Sequence, residues 1–160
     1  MKKVISFVFV ALLTVTLVGC SFTGKDKKES KERTYEYLLD LYARAYNEEK
    51  PELIKEVFPE FIFKGMEDQL TVENIKRAKS YYGDNVKFSF EVTGKTKMDD
   101  EWIEKANEDL KNYYNTDTKV KECYQLEGTT SIKGSEDEST SNMEELWYCD
   151  IDGTWYLIFG

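Results

Sequence analysis

The chain has 160 residues, with 31 acidic and 22 basic side chains, no histidine and a net charge of −9. This length suits one domain and leaves little room for a second. The acidic balance disfavours nucleic acid as a partner, because phosphate backbones would be repelled. Histidine is the commonest general acid/base and the commonest metal ligand, so its absence argues against many catalytic centres and metal sites. No cofactor is predicted.

The first 20 residues are organised like a secretory leader. Lys2 and Lys3 precede an almost unbroken apolar run over residues 4–18. This run is shorter than the roughly 20 apolar residues that a permanent membrane-spanning helix requires. It fits the apolar region of a signal peptide instead.

The leader ends in Leu17-Val18-Gly19-Cys20, which closely resembles the lipobox of bacterial lipoproteins. The resemblance implies removal of residues 1–19 and attachment of a diacylglyceryl group to Cys20. Each buried methylene contributes about 0.8 kcal/mol, so two or more acyl chains hold a protein firmly at a membrane. We expect a lipid-anchored protein on the extracytoplasmic face of the cell membrane. The alternatives are a plain secretory signal with an unmodified Cys20 or an uncleaved anchor.

Helical patterns dominate the chain that follows. Residues 20–29 are small, polar and charged and predict a flexible tether, while residues 30–160 form the single predicted domain. Apolar residues at three- and four-residue steps over 35–46 predict its first helix. Pro51 suits the first turn of a short second helix, which Pro59 ends.

The next elements are predicted from brief local signals. Phe-Ile-Phe at residues 61–63 predicts either a short strand or a buried turn. Thr71 is a suitable N-cap for a third helix, and Gly83 is a suitable stop. Strict alternation over residues 86–92 then predicts a strand with one packed face. A fourth helix is expected after Asp99 or Asp100.

The last 40 residues predict antiparallel strands. Alternation over 120–132 predicts one strand, residues 134–142 predict an exposed hairpin loop, and 143–151 predict the next strand. Asp152-Gly153 is a strong tight-turn signal before a closing strand over residues 155–159. This order predicts an α+β domain with helices on one face of an antiparallel sheet.

These elements are similar to those of the NTF2-like/cystatin-like lipoproteins of Gram-positive bacteria. The resemblance is carried by the amphipathic N-terminal helices, by Tyr81-Tyr82-Gly83 before a long strand, and by the ending over residues 150–157. It implies a cone in which N-terminal helices pack on a curved antiparallel sheet, whose concave face can line a pocket. It implies no particular activity, because members of this fold include enzymes, ligand binders and assembly modules.

Aromatic side chains at strand spacing are the candidate pocket residues. Either they line a concave cavity or they form ordinary core, and the core is the default interpretation. The set consists of Phe88, Phe90, Tyr124, Trp147 and Trp155.

Two glutamates are the weak catalytic candidates. Glu122 and Glu145 each interrupt the apolar face of a predicted strand. A carboxylate buried in an apolar cavity has a raised pKa and can act as a general base. The favoured interpretation is a strand edge, a bulge or a pair with a nearby lysine, and no catalytic residue is assigned.

The sequence does not decide whether the two remaining cysteines form a disulfide. Cys123 and Cys149 lie on two strands joined by one hairpin, outside the reducing cytosol. Alternation, however, places Cys123 among polar residues and Cys149 among apolar ones. Opposite faces of a sheet cannot be bridged unless a bulge redirects one side chain.

The sequence therefore favours a non-catalytic binding module for an extracytoplasmic protein, peptide or small apolar ligand. One rival is an NTF2-like enzyme that uses a buried carboxylate as its base. The other is a structural or assembly protein of the cell envelope.

We expect that replacing Cys20 with Ala abolishes lipid attachment, because the thiol that carries the diacylglyceryl group is lost. Fractionation of cells fed a labelled fatty acid measures both membrane retention and lipid incorporation. A Ser21→Ala variant is the control and should behave like the wild type. A Cys20→Ala variant that keeps its label and stays with the membrane would contradict the lipoprotein interpretation.

Overall fold

The computed structural model describes residues 32–143 and 145–159. The predicted signal peptide, Cys20 and the tether over residues 20–29 lie outside the described residues. Among the residues that the structure describes, no helix combines the length and the apolarity needed to cross a membrane.

Helices form most of the first half of the domain. Thr34, Thr71 and Asp99 cap three of them, each accepting a hydrogen bond from the backbone N–H three residues ahead. These caps satisfy N–H groups that have no partner within the helix. The helices are α1 (Tyr35–Asn47), a 3₁₀ helix (Pro51–Glu56), α2 (Glu60–Met66), α3 (Val72–Ser80) and α4 (Asp100–Tyr114).

An open antiparallel sheet of five strands completes the fold. Its strands are β1 (Lys87–Lys97), β2 (Val120–Lys133), β3 (Glu138–Asn142), β4 (Leu146–Ile151) and β5 (Thr154–Phe159). The order is β1-β2-β4-β5, and β3 pairs with β2 beside this path. The prediction of an α+β domain with an antiparallel sheet is confirmed.

Two local predictions were wrong. Residues 61–63 lie inside α2, where Ile62 and Phe63 are buried; tertiary burial decided their conformation. Residues 138–142 form β3 and pair with residues 129–133 of β2, so the predicted loop over 134–142 is a strand for half of its length. Their serines, threonine and asparagine gave no apolar alternation, because this strand lies at a rim of the sheet.

Both faces of the sheet are covered, so the prediction of helices on one face was wrong for α4. On one face α1, the 3₁₀ helix and α2 bury the larger core, which includes Leu38, Phe58, Leu126 and Leu157. On the other face α4 covers a smaller core. The members of this second core include Leu110, Val120, Cys123, Cys149 and Ile151.

The second core contains a disulfide between Cys123 and Cys149. The two residues are direct partners in the β2–β4 ladder, with Cα atoms 4.0 Å apart. The ladder shifts register between Val120 and Glu122, and this bulge places Val120 and Cys123 in the same core. The polar alternation around Cys123 was misleading because α4 covers that face of the sheet.

Removal of the disulfide should lower the free energy of unfolding by about 2–4 kcal/mol, because the unfolded chain regains the entropy of the open loop. Denaturant unfolding of the Cys123→Ala/Cys149→Ala variant measures the loss. A Glu104→Ala variant, at an exposed position of α4, is the control. Intact mass with and without reductant must also differ by two hydrogens. Two free thiols in protein exported and purified without reductant would contradict the bond.

Candidate functional site

A groove of about 450 Å³ lies between α1 and β1, and we call it the α1–β1 groove. Its apolar part is formed by α1 and by the beginning of β1, where apolar side chains alternate with polar ones. These apolar residues are Leu39, Ala43, Phe88, Phe90 and Val92. The groove is therefore a concave surface with an apolar floor, the usual character of a ligand site.

Charged side chains divide the rim of the groove into two ends. Glu36 and Asp40 lie along α1 toward its first turn, whereas Arg44 and Lys87 lie toward the end where α1 finishes. Arg44 Nη1 is 3.7 Å from Asp40 Oδ2, and Arg44 Nε donates to Glu48 Oε1 at 2.8 Å. The rim is therefore acidic toward the first turn of α1 and basic toward its end, and Asp40 and Arg44 pair where the two ends meet.

The acidic end keeps its charge at neutral pH. Partial burial alone would raise the pKa of Glu36, but a hydrogen bond from Tyr35 and the nearby positive charge of Lys95 contribute to a pKa below its ordinary value. Glu36 is thus an anion at the rim over the physiological range.

Asn47 closes the other end of the groove against the backbone of β1. Its Nδ2 donates to the carbonyl oxygen of Phe88 at 2.8 Å, and its Oδ1 accepts from the N–H of Phe88 at 2.7 Å. One side-chain amide therefore takes the place of a neighbouring strand at this position. The contact also fixes the end of α1 beside the edge of the sheet.

The five predicted pocket aromatics do not share one cavity. Phe88 and Phe90 line the groove and pack on Tyr42, with ring centroids 5.7 and 5.4 Å away. Trp147 lies on the other face of the sheet, with its ring centroid 5.5 Å from that of Trp102 in α4. It points away because it neighbours Tyr148 in β4, and successive strand residues face opposite sides.

Tyr124 and Trp155 form a second aromatic group on the α1 face of the sheet. Trp155 stacks on Tyr148 with centroids 4.3 Å apart, and Tyr124 lies 6.2 Å from Trp155. Desolvation raises the pKa of Tyr148 to about 12, and its hydroxyl donates to the Arg33 carbonyl at 2.7 Å. This group packs the entry of the chain into the domain, and none of its three rings lines the groove, although Tyr35 of the groove packs edge-on against Tyr148.

Neither candidate glutamate is buried in an apolar cavity. Lys97 Nζ lies 2.6 Å from Glu122 Oε1, and the Tyr124 hydroxyl donates to the same oxygen at 2.8 Å. These two hydrogen bonds lower the pKa of Glu122, and the bond from Lys97 has the larger effect. Glu145 is exposed. Glu122 thus forms a pair with a nearby lysine, as in the favoured interpretation, and neither glutamate has the buried apolar site that the general-base alternative requires.

The groove residues on α1 were not predicted as a site. Glu36, Asp40, Ala43 and Asn47 follow one another at helical spacing on the surface side of an amphipathic helix. Such a stripe is ordinary for any surface helix. The α1 stripe becomes part of a groove only because the edge of β1 lies beside it, and the sequence does not reveal where that edge lies.

The comparisons with known proteins identify no relative: no family model, curated protein or solved structure matches the chain. The described residues define an α+β domain with an open antiparallel sheet and a groove between its first helix and an edge strand.

We expect that Lys97→Met raises the pKa of Glu122 toward its ordinary value, because the strongest hydrogen bond to the carboxylate is lost. Carboxyl carbon shifts followed by NMR against pH measure both midpoints, with Lys105→Met on α4 as the control. The lowered pKa also means that the pair stabilises the fold above the ordinary carboxyl pKa, and that this contribution is lost as pH falls through the folded-state pKa. A wild-type midpoint above the ordinary value would instead support the general-base interpretation.

Proposed function

We propose that this protein is a lipid-anchored lipoprotein of the extracytoplasmic membrane face and that its domain is a non-catalytic binding module. The observation that carries the proposal is the α1–β1 groove, which combines an apolar floor with a few charged groups at its ends. Its volume of about 450 Å³ falls among those of ligand sites. The ligand is a protein segment, a peptide or a small apolar molecule.

The anchoring half of the proposal is supported by the sequence from Lys2 to Cys20, with its basic start, apolar run and lipobox-like ending. We also propose that the domain is an NTF2-like/cystatin-like cone of the Gram-positive lipoprotein type. The N-terminal helices packed against one face of the antiparallel sheet support this assignment.

The way the chain enters the domain is consistent with a tethered binding module. Arg33 Nε donates to the carbonyl oxygen of Trp155 at 2.8 Å, and Arg33 Nη2 donates to the carbonyl oxygen of Glu56. The entry is thus fastened at β5, which lies at the opposite edge of the sheet from β1. A tether would thus join the domain at a fixed point, just before Tyr35 and Glu36 at the acidic end of the groove.

An assembly role in the cell envelope is the second candidate. Tyr113 and Tyr114 at the end of α4 are 80% and 46% exposed, and large exposed aromatics are typical of contact surfaces. The enzyme alternative loses its structural basis at Glu122 and Glu145, since neither carboxylate occupies an apolar cavity.

A photoreactive residue placed at Ala43 should form an adduct in intact cells, because this position lines the groove. The same residue at Tyr113 tests the assembly surface, and at Glu104, exposed on α4, it measures background labelling. Mass spectrometry of the purified adducts gives the yield at each position. Adducts at Tyr113 with only background labelling at Ala43 would replace the binding groove with the assembly surface.

A further inference from the structure

We propose that the α1–β1 groove binds an extended peptide, which pairs with the edge of β1 as an additional antiparallel strand. This inference rests on the proposed binding function and specifies its ligand class. The residues that bind the peptide backbone are the outward-facing positions of β1.

The contact of Asn47 shows which backbone groups of β1 face outward. Phe88 directs both its N–H and its carbonyl oxygen to the Asn47 side chain, away from β2. Backbone groups alternate in direction along an antiparallel edge strand. Phe90 and Val92 therefore present their N–H and carbonyl groups on the same outer edge, and no described residue hydrogen-bonds to these groups.

The groove gives access to this backbone edge. Lys87, Phe88, Ser89 and Phe90 all line it, although consecutive side chains point to opposite faces of the sheet. A cavity that contacts four consecutive residues of a strand must follow the edge of its backbone. A peptide in the groove would therefore meet main-chain donors and acceptors, the arrangement used in strand addition.

The opposite edge of the sheet does not offer the same site. The N–H of Leu157 in β5 donates to the Val57 carbonyl at 3.0 Å, and the Trp155 carbonyl accepts from Arg33 at 2.8 Å. The chain itself thus covers outward groups of β5. In β3, the outward edge belongs to a strand of five polar residues, none of which lines the α1–β1 groove.

The structure also limits the length of the added strand. A bulge shifts the register of β1 between Val92 and Gly94, and Lys95 and Lys97 follow it. Bulges and lysines are the usual means of preventing strand addition at an edge. Main-chain pairing is therefore confined to Phe90 and Val92, between the Asn47 contact at Phe88 and the bulge, and a peptide of about five residues covers this stretch.

All strand pairs described in the sheet are antiparallel, and for a peptide added in that direction charge complementarity fixes the sequence pattern. An antiparallel peptide begins near Val92, beside the acidic end formed by Glu36 and Asp40, and ends near Phe88, beside Arg44 and Lys87. Its first residue should be basic, its central residues β-branched, and its last residue acidic. The blocked peptide Lys-Val-Thr-Val-Glu has this pattern, and Glu-Val-Thr-Val-Lys is its charge-reversed control.

Binding of the blocked peptide Lys-Val-Thr-Val-Glu is measured by calorimetry and by amide hydrogen exchange on the exported domain. The expected pattern of slowed exchange is alternating: Phe90 and Val92 become protected, whereas Ser89, already bonded to β2, changes little. N-methylation of the peptide's lysine and threonine, which stand opposite Val92 and Phe90 and would donate to their carbonyl oxygens, should weaken binding about tenfold. The charge-reversed peptide should also bind more weakly.

Two double variants separate the groove from general charge effects. Glu36→Gln/Asp40→Asn should weaken binding about fivefold, since two attractive rim charges are lost. Glu104→Gln/Glu108→Gln removes the same charge at the same spacing from α4 and should leave affinity unchanged. Circular dichroism verifies that each variant is folded.

Three results would overturn strand addition: no binding of the peptide, equal binding of its N-methylated form, or uniform protection along β1. Each leaves the proposed function standing if the photoreactive residue at Ala43 still forms adducts in cells. Failure at Ala43 as well would remove the groove as a binding site altogether.

Discussion

The pairing of β2 on both of its edges is the constraint on which the rest of the structure depends. β1 follows one edge for nearly the whole strand, while β3 and β4 divide the other edge between them. A shift of one residue in this register would exchange the two faces of the strand. The register therefore decides which side chains meet α1 and which meet α4.

Two covered faces follow from this register and determine what kind of site the domain can offer. Leu126 and Ile132 of β2 enter the core under α1, and Cys123 enters the core under α4. The five aromatic residues that the sequence suggested as one pocket are therefore distributed over the two cores and the point where the chain enters the domain. With both faces packed by helices, the groove beside the β1 edge becomes the main candidate for recognition.

The two edges of the sheet differ in how many of their outward backbone groups are hydrogen-bonded by the rest of the chain. At β5 the chain uses Arg33 and the Val57 carbonyl to bond outward groups. At β1 the Asn47 amide bonds Phe88, and the bulge beyond Val92 interrupts the far half of the edge. Between these two features lies a short backbone segment beside an apolar groove with opposite charges at its ends. This combination favours recognition of main-chain groups, with rim charges providing direction and specificity.

Signals that act within a few residues were readable from the sequence. Thr71 and Asp99 cap helices through bonds to the backbone three residues ahead, and Asp152-Gly153 forms its turn with positive φ at both residues. The alternation that predicted β1 and β2 likewise depends only on neighbouring side chains. These features gave most of the helices, most of the strands and the α+β class, and the lipobox-like ending at Cys20 is a local signal of the same kind.

Features that require a distant partner were decided by the tertiary structure alone. Residues 61–63 became helical because packing buried Ile62 and Phe63, and the polar residues 138–142 became a strand because β2 had an unpaired edge. Cys123 and Cys149 point into the same core because a bulge shifts the β2–β4 register and α4 covers that face of the sheet. Glu122 forms its ion pair with Lys97 of a different strand. The α1–β1 groove exists because Asn47 meets Phe88 across 41 residues of sequence. No local pattern encodes that meeting, since neither residue's neighbours along the chain specify its partner in space.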